Sequence, residues 1–201
     1  IEMYLPHKNA DIRGQKHWFT LSSSPTEKLV SITTKRSQDK VSTFKQRLFS
    51  LEPGAKVKIS EPMGDFVLPK DSSRPLLFVA GGIGITPMRS MVKWLFDNDE
   101  KRQIHLLYGV RTEQELAFLD LFKKYGLKPN IVVSSPAPSD SYREGHITSS
   151  EIQSLADRLD DPLVYISGPE PMIENLETEL LQNKFPAASL VLDFFPGYKP
   201  V

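Results

Sequence analysis

The sequence lacks cysteine entirely and contains no long run of apolar residues. Without cysteine, the chain has no disulfide bond, no thiolate metal site and no cysteine-ligated iron–sulfur cluster. No segment reaches the length of a membrane-spanning helix, and no signal peptide is visible. The chain starts without methionine, inside a predicted strand. We therefore expect a segment cut from a longer protein, either cytoplasmic or the cytoplasmic part of a membrane protein.

An excess of either sign of charge is also missing, because 25 Lys and Arg residues balance 25 Asp and Glu residues. Without a basic block, net charge predicts neither a nucleic-acid partner nor binding to an anionic membrane surface. Histidine is scarce, and its four copies show no metal-ligand spacing such as His-Glu-x-x-His. We expect no metal site, and we find no arrangement that indicates a serine–histidine–acid triad.

The first third of the chain is predicted to be rich in short strands separated by turn signals. One helix is predicted over residues 43–51, with Phe44 and Leu48 on one face. Closely spaced strands with a single helix indicate a small antiparallel β-barrel. The predicted strands cover residues 1–5, 18–22, 29–35, 56–60 and 66–68.

From residue 76 onward, strands and helices alternate, which indicates a parallel sheet with crossover helices. A polar segment bounded by prolines, residues 69–75, precedes this region and is a plausible linker. We therefore predict two domains, residues 1–70 and residues 75–201. The predicted strands cover residues 76–80, 103–109, 130–134, 163–167 and 189–194, and the predicted helices cover residues 87–97, 113–125, 149–159 and 170–184.

Residues 76–87 combine a buried strand, a glycine turn and a helix start. We expect Thr86 to cap the helix and Pro87 to occupy its first position. A glycine turn that leads into a helix N-terminus offers free backbone N–H groups to a phosphate. Proline replaces the third glycine of the dinucleotide fingerprint, and no P-loop lysine follows. The residues alone thus favour nucleotide binding over the alternative, a tight strand-to-helix turn in any α/β domain.

Residues 17–25 alternate aromatic and hydroxyl side chains, which suits a flat heterocycle with a polar tail. Taken alone, they favour an ordinary strand that leads into a serine-rich turn. However, residues 17–23 resemble the Arg-x-Tyr/Phe-Ser/Thr-x-x-Ser flavin motif of the ferredoxin–NADP reductase family. Phe19, Thr20 and Ser23 match this motif, and His17 takes the arginine position. The resemblance implies that these four residues and Leu21 bind flavin, with Thr20 near the reactive ring nitrogen, N5, and position 17 at the phosphate.

A second segment resembles the same family, namely residues 29–35 followed by Ser42, Thr43 and Phe44. In the family, a strand and a serine-bearing helix start contact the flavin here. The resemblance therefore implies flavin contacts at four further positions, Thr33, Lys35, Ser42 and Thr43. Residues 61–66 resemble the family's Gly-Pro-x-Gly-x-Phe turn that closes the barrel, with Glu61 replacing the first glycine; a plain β-turn is the more economical interpretation.

The second half of the chain resembles the family's pyridine-nucleotide domain at four places in the expected order. These are residues 81–87, 108–111, 167–172 and 194–198. The resemblance implies that Ser167, in the family's cysteine position, helps to place the nicotinamide. It implies nucleotide contacts for Gly82, Gly84, Thr86, Pro87, Gly168 and Pro169. Tyr198 lies in the C-terminal aromatic stretch, which either contacts the cofactors or covers a sheet edge.

The preference for NADPH or NADH depends on the residues after the second and third strands of the parallel sheet. Arg111 stands where the NAD rule expects an acidic residue, which favours a 2′-phosphate. Ser134 fits the first residue of the family's Ser-Arg pair, whereas Ser135 replaces its arginine. Arg143 is a second candidate cation, and Arg111 could equally be a surface cation at a helix cap. We lean slightly to NADPH.

The resemblance covers nearly the whole chain, although we expect the first strand of the family's barrel to be missing before Ile1. It implies a flavin-binding barrel followed by a nucleotide-binding α/β domain. The implied function is hydride transfer from NAD(P)H to FAD, or to FMN, with electrons passed to an unknown protein, quinone or small molecule. Two alternatives stay open. One is a nucleotide-binding regulatory or docking module without competent flavin chemistry; the other is the reductase segment of a larger membrane-associated protein.

Overall fold

A computed structural model describes residues 1–36, 41–135 and 142–195 of the protein. The first part contains an antiparallel sheet in the order β2-β1-β3 and one helix, α1. A single antiparallel bridge between Leu21 and Ile32 adds to this part. The elements are β1 (Glu2–Tyr4), β2 (Lys16–Trp18), α1 (Thr43–Phe49) and β3 (Lys58–Ile59).

The strands of this first part are shorter than predicted. The segment 18–22 leaves the ladder after Trp18, and the amide of Phe19 then donates to the carbonyl of Ile1 at 2.9 Å. Residues 29–35 form one bridge rather than a strand, so that prediction is wrong. The predicted strand 66–68 is also wrong, because these residues form no strand in the structure. Phe66 and Leu68 instead pack their side chains against the core of the second part.

A small core holds the first part together. Met3 and Leu5 of the β1 segment pack against Phe44 of α1, which is completely buried. The register places Met3 opposite His17, and the His17 ring stacks on the Phe44 ring with centroids 4.0 Å apart. Phe44 thus anchors α1 to the sheet.

The second part is a six-stranded parallel sheet in the order β7-β6-β5-β4-β8-β9. This confirms the predicted alternation of strands and helices, and β7 is an addition that the sequence did not predict. The strands are β4 (Leu76–Gly81), β5 (Ile104–Val110), β6 (Asn130–Val133), β7 (Arg143–Glu144), β8 (Leu163–Pro169) and β9 (Leu190–Phe195). The helices are α2 (Ile85–Asp97), α3 (Leu119–Lys124), α4 (Ser149–Ala156) and α5 (Glu170–Gln182).

Strand β4 is buried along its whole length because helices cover both faces of the sheet. Successive side chains of a strand point to opposite faces, and β4 follows this rule. Phe78 belongs to one core cluster together with residues of α2 and α3. Val79 belongs to the other cluster, together with residues of α4 and α5. The continuous apolar run that predicted a doubly covered strand is thereby explained.

The predicted helix 113–125 is interrupted. Residues Glu113–Glu115 form a 3₁₀ turn, and α3 begins only at Leu119. Phe118 has a left-handed backbone with φ of 63°, which no α-helix accommodates. The amide of Ala117 donates to the buried hydroxyl of Tyr108 at 3.3 Å, so tertiary contact replaces the helical hydrogen bond there.

Specific contacts hold the connection between the two parts. Arg102 donates to the carbonyls of Pro69 at 3.0 Å and Asp71 at 3.2 Å. Tyr165 of β8 donates to the carbonyl of Val67 at 2.8 Å, and its ring meets Phe66 edge to face at 5.2 Å. Among the described residues, no helix has both the length and the apolar character to cross a membrane.

Candidate flavin and nucleotide site

The order of strands defines a switch point at the centre of the parallel sheet. After β4 the chain builds β5, β6 and β7 on one side, and it then returns to build β8 and β9 on the other side. In open parallel sheets, ligands bind beyond the carboxyl ends of the strands at such a point. The relevant ends here are the glycine turn after β4 and residues 167–169 at the end of β8.

Gly84 lies in direct contact with β8. A Cβ atom at this position would be 2.0 Å from the Ser167 carbonyl oxygen and 2.7 Å from the Gly168 amide nitrogen. Gly168 in turn packs against Gly81, since a Cβ on Gly168 would lie 3.2 Å from the Gly81 Cα. These glycines are therefore needed for the close approach of two backbones, and the Gly84 side-chain position faces protein rather than ligand.

Gly82 has a different environment. Its φ is 53°, and a Cβ there would meet no described atom within 4 Å. Residues Gly82–Gly84 form a 3₁₀ turn that runs directly into α2. The first N–H groups of such a run have no partner within the helix. Gly82 thus occupies the open side of the turn, where a phosphate would be received.

Thr86 and Pro87 do not play the structural roles that the sequence predicted. Helix α2 begins at Ile85 with Gly84 as its N-cap, so Thr86 is not the cap and Pro87 is not the first helical residue. Thr86 is 1% exposed, and its hydroxyl donates to the Ile83 carbonyl at 3.0 Å. The reason is that the preceding 3₁₀ turn continues into the helix, so no side-chain cap is needed. Thr86 shapes the turn from inside.

A polar pair lies at the end of β8, formed by the buried Ser167 and the half-buried Asp193. Ser167 is fully buried, and its hydroxyl donates to the Asp193 carboxylate at 3.4 Å. The parallel register of β8 and β9 places these residues side by side. Burial raises the pKa of Asp193, the Ser167 hydrogen bond opposes this shift, and the charge of Asp65 adds to it. Asp193 was not among the predicted site residues, although a single acidic residue in an apolar strand was a usable signal.

In the predicted flavin motif, the serine hydroxyls serve the local fold. The Ser22 hydroxyl donates to the Ser31 carbonyl at 3.1 Å and accepts from Thr33 at 2.9 Å. The Ser23 hydroxyl accepts from the Ser31 amide at 2.9 Å. Thr20 is half-buried, and its hydroxyl makes no hydrogen bond to any residue that the structure describes. Thr20 is therefore the hydroxyl of this motif that is available to a ligand.

His17 is buried and stacked on Phe44, so it differs from the arginine whose position it takes. Burial is the main cause that lowers the pKa of His17, and Lys45 and Arg13 lower it further against the opposing charge of Asp11. The imidazole is consequently neutral at pH 7. Phe19 packs at the other side of Phe44, with ring centroids 6.0 Å apart.

Positive charge comes instead from residues around α1. Lys45 is half-buried, and its ammonium donates to the Lys35 carbonyl at 3.2 Å. Burial, followed by the charges of Arg13 and Lys35, lowers the pKa of Lys45. Arg13 and Lys35 are themselves paired with carboxylates, Asp11 and Glu115. Lys45 is therefore the cation of this group whose ammonium meets only a carbonyl among the described residues. Lys45 was missed because its distance from residue 17 along the chain hides their proximity.

The start of α1 is already engaged by protein groups. The Ser42 side chain accepts from the Lys45 amide at 3.1 Å. The Thr43 amide donates to the Asp11 carboxylate at 3.0 Å, and the Thr43 hydroxyl accepts from the Asp11 amide at 3.0 Å. The hydrogen bond from Arg13 is the main cause that lowers the pKa of Asp11 to about 2. The Asp11 carboxylate thus holds the helix start at which the resemblance implies flavin contacts.

The remaining predicted site residues lie at several strand ends. Arg111 is exposed after β5, and the Ser134 amide donates to the Val110 carbonyl at 3.0 Å. Arg143 pairs with Glu151 at 2.5 Å, so its charge is already matched. Pro169 is exposed at the end of β8. Tyr198 lies outside the described residues.

The two predicted cofactor segments meet along α2. Ser90 of α2 donates to the carbonyl of Ser23 at 2.7 Å, and Arg89 donates to the carbonyl of Ser22 at 2.9 Å. The segment that carries Thr20 and the helix that follows the glycine turn are therefore joined directly.

Residues 78–178 match the sequence model of the family described as oxidoreductase NAD-binding domain. The chain belongs to this family. Within the oxidoreductases, it is a ferredoxin–NADP reductase-like flavin oxidoreductase, as its motifs predicted. The members that it resembles use FAD and NAD(P)H as cofactors, so the predicted enzyme class and cofactors are confirmed at the level of the family.

Curated relatives match this chain over only part of their own length. It is 26% identical to flavohemoprotein A of Dictyostelium discoideum over 97% of the chain and 50% of that protein. It is 28% identical to the NADH oxidoreductase HCR of Escherichia coli over 81% of the chain and 49% of that protein. The chain spans about half the length of these relatives.

Solved structures show the same two-part oxidoreductase fold. The FAD/NAD-binding domain of nitric oxide dioxygenase from Vibrio cholerae matches with a TM-score of 0.81 at 20% identity, over 98% of this chain and 83% of that one. The cytochrome P450 reductase of Amycolatopsis matches with a TM-score of 0.79 at 21% identity, over 98% of this chain and 60% of that one. The predicted fold class is confirmed.

Proposed function

We propose that this chain transfers hydride from NAD(P)H to a bound FAD and passes the electrons to a separate acceptor. The observation that supports this most directly is the contact between the glycine turn and Ser167 at the switch point. Residues 17–27, called the flavin segment below, are joined to α2 by the hydrogen bond from Ser90 to Ser23. The glycine turn, the Ser167–Asp193 pair and the segment that carries Thr20 are therefore linked through β8 and α2.

Bound FAD supplies a ring that accepts a hydride and then releases electrons to an acceptor. The protein binds and orients this ring, and we assign the Thr20 hydroxyl to the ring edge because its neighbours Ser22 and Ser23 are engaged in the fold. Phe19 provides an apolar surface beside it. Lys45 supplies positive charge for a diphosphate, since His17 is neutral and Arg13 is already paired with Asp11.

The nucleotide half has three roles. The open turn at Gly82 presents backbone N–H groups to the pyrophosphate of NAD(P)H. Ser167 places the nicotinamide, and Asp193 orients the Ser167 hydroxyl. Because burial raises the pKa of Asp193, this carboxyl holds a proton more readily than an exposed one.

We further propose that the segments 1–70 and 75–201 are the flavin and nucleotide domains.

For the donor, we favour NADPH. Arg111 is exposed at the end of β5 and has no ion-pair partner among the residues that the structure describes. Arg143, the competing cation, is paired with Glu151. A free guanidinium at this strand end suits a 2′-phosphate.

The electron acceptor lies on another protein, on another part of the same polypeptide, or is a quinone or another small molecule. The names of relatives support this range. They include flavohemoproteins and a subunit of a Na⁺-translocating NADH-quinone reductase, of which this chain covers 40%. A further relative, from Escherichia coli, is named as an NADH oxidoreductase.

A second candidate function is a nucleotide-binding module without flavin chemistry. Two observations favour it: His17 is neutral at the arginine position, and Asp11 occupies the start of α1. Such a module would bind NADPH but remain colourless.

The decisive experiment is a visible absorption spectrum of the protein after incubation with excess FAD and desalting, followed by separate anaerobic titrations with NADPH and NADH. Retained flavin bands that bleach support the reductase, and the nucleotide that bleaches them names the donor. A colourless protein that still binds NADPH in calorimetry supports the binding module and rules out hydride transfer by this chain.

A further inference from the structure

Arg89 of α2 lies between the two halves of the protein. Its side chain is 16% exposed, and its two terminal nitrogens both donate to the Glu27 carboxylate, one of them at 2.8 Å. One nitrogen also donates to the Ser22 carbonyl at 2.9 Å. A two-point arginine–carboxylate pair fixes orientation as well as distance. Arg89 therefore holds the flavin segment in a defined position on α2.

The same guanidinium also contacts a third segment. It lies over the ring of Phe118, 5.9 Å from the ring centroid. Phe118 has the left-handed backbone that ends the loop before α3. Arg89 thus connects the flavin segment, helix α2 and the loop that follows β5.

Neighbouring bonds extend the contact along α2. Ser90 donates to the Ser23 carbonyl, and the Thr26 hydroxyl donates to Asp97 at 2.5 Å. Glu27 also accepts from the Ser24 amide at 2.7 Å, which makes the acidic partner rigid. The hydrogen bond from Arg89 is the main cause that lowers the pKa of Glu27, so this carboxylate is charged at neutral pH.

We propose that Arg89 and Glu27 form a clamp that sets the flavin segment at a fixed distance from the nucleotide turn. Arg89 is then a positioning residue for hydride transfer. Arg89 lies in α2, whose N-cap is Gly84 of the glycine turn. Its partners Ser22 and Glu27 come shortly after Thr20 in the chain. This inference rests on the proposed function. Misplacing reacting groups by about 1 Å lowers a rate by about 100-fold, so the clamp controls rate more than affinity.

The test compares four single variants and one double variant, R89M/E27Q, with the wild type. Arg89→Met removes the charge and the fork, Arg89→Lys keeps the charge without the fork, and Glu27→Gln keeps the shape of the partner. The fourth is the control Arg74→Met, which breaks the ion pair between Arg74, in the linker 69–75, and Asp161, just before β8.

We expect Arg89→Met to lower the rate of flavin bleaching at saturating NAD(P)H by about 10- to 100-fold, with the affinities for FAD and NAD(P)H changed less than about threefold. Arg89→Lys should recover part of the rate. Arg74→Met should bleach like the wild type. Because the pair acts as a unit, the double variant R89M/E27Q should lose no more rate than Arg89→Met alone.

Hydrogen exchange provides a readout that needs no bound cofactor. Amides of residues 22–31 should exchange faster in Arg89→Met and Glu27→Gln than in Arg74→Met. A folded, flavin-loaded Arg89→Met protein with an unchanged bleaching rate overturns the positioning role. Unchanged exchange in both clamp variants overturns the clamp itself. A wild-type protein that retains no flavin or does not bleach refutes the proposed function instead, and the exchange result still decides whether the clamp exists.

Discussion

Replacing Gly84 by alanine tests the central claim that the glycine turn packs directly on β8. The backbone of Gly84 has φ of −59° and ψ of −9°, which any residue adopts without strain. The only consequence of the substitution is therefore the space that its methyl group needs. That space is taken by the Ser167 carbonyl, whose oxygen would be 2.0 Å away.

The size of the effect follows from what must move. Real Cβ atoms essentially never approach other heavy atoms within 3.0 Å, so the turn and β8 must separate by about 1 Å. Overpacking of a tight interior costs about 1–3 kcal/mol, and we expect the upper end because backbone rather than a flexible side chain obstructs the methyl group. A loss of about 3 kcal/mol lowers the melting temperature of a chain of this size by about 6–12 °C.

Gly82→Ala is the matched control, because it adds the same methyl group two residues earlier in open space. Its cost comes only from the left-handed backbone and should be about 1–2 kcal/mol. Thermal and urea denaturation followed by circular dichroism measure both variants. If Gly84→Ala unfolds at the wild-type temperature, or is less destabilised than Gly82→Ala, the close packing at the switch point is refuted.

Three further predictions concern charge at the site. Asp193→Asn should remove a pH dependence of stability. Because the pKa of Asp193 is raised, the folded wild-type protein should lose stability as pH rises from about 4 through that pKa, whereas the free energy of unfolding of the variant, measured by urea denaturation, should change less. An equal change in both proteins contradicts the burial of this carboxyl. Lys45→Met should weaken FAD binding by about tenfold, which is the effect of one lost charge-assisted contact. The control Lys56→Met removes an exposed lysine and should leave FAD binding unchanged, and fluorescence titration measures both affinities. Arg111→Gln should weaken NADPH binding by about tenfold and leave NADH binding unchanged in calorimetry, and equal losses for both would remove Arg111 from the 2′-phosphate site.

Several features were predictable because they depend on residues that are close in sequence. The stretch 76–87 predicted a buried strand, a glycine turn and a helix, and the structure has all three. The alternation after it predicted the parallel sheet, since a parallel connection requires a crossover. The resemblance of ordered motifs predicted the family, which the match over residues 78–178 confirms.

Other predictions failed where distant contacts compete with local preference. Residues 29–35 are rich in strand-forming side chains, yet only Ile32 forms a bridge. Residues 113–125 follow a helical pattern, but the buried Tyr108 hydroxyl takes the Ala117 amide and Phe118 turns left-handed. Thr86 looked like a cap, whereas the 3₁₀ turn before it made a cap unnecessary.

The sequence alone determined five of the six strands of the parallel sheet, all but β7, and where backbone must be free of side chains. Both follow from hydrophobic pattern and glycine placement along a short stretch. Only the tertiary structure decided which residues meet. Ser167 finds Asp193 through the register of two parallel strands, and Arg89 finds Glu27 across the junction of the two halves. Pattern specifies which face of an element is buried, but the partner across that face depends on how separate elements pack. No local property of either partner carries that information.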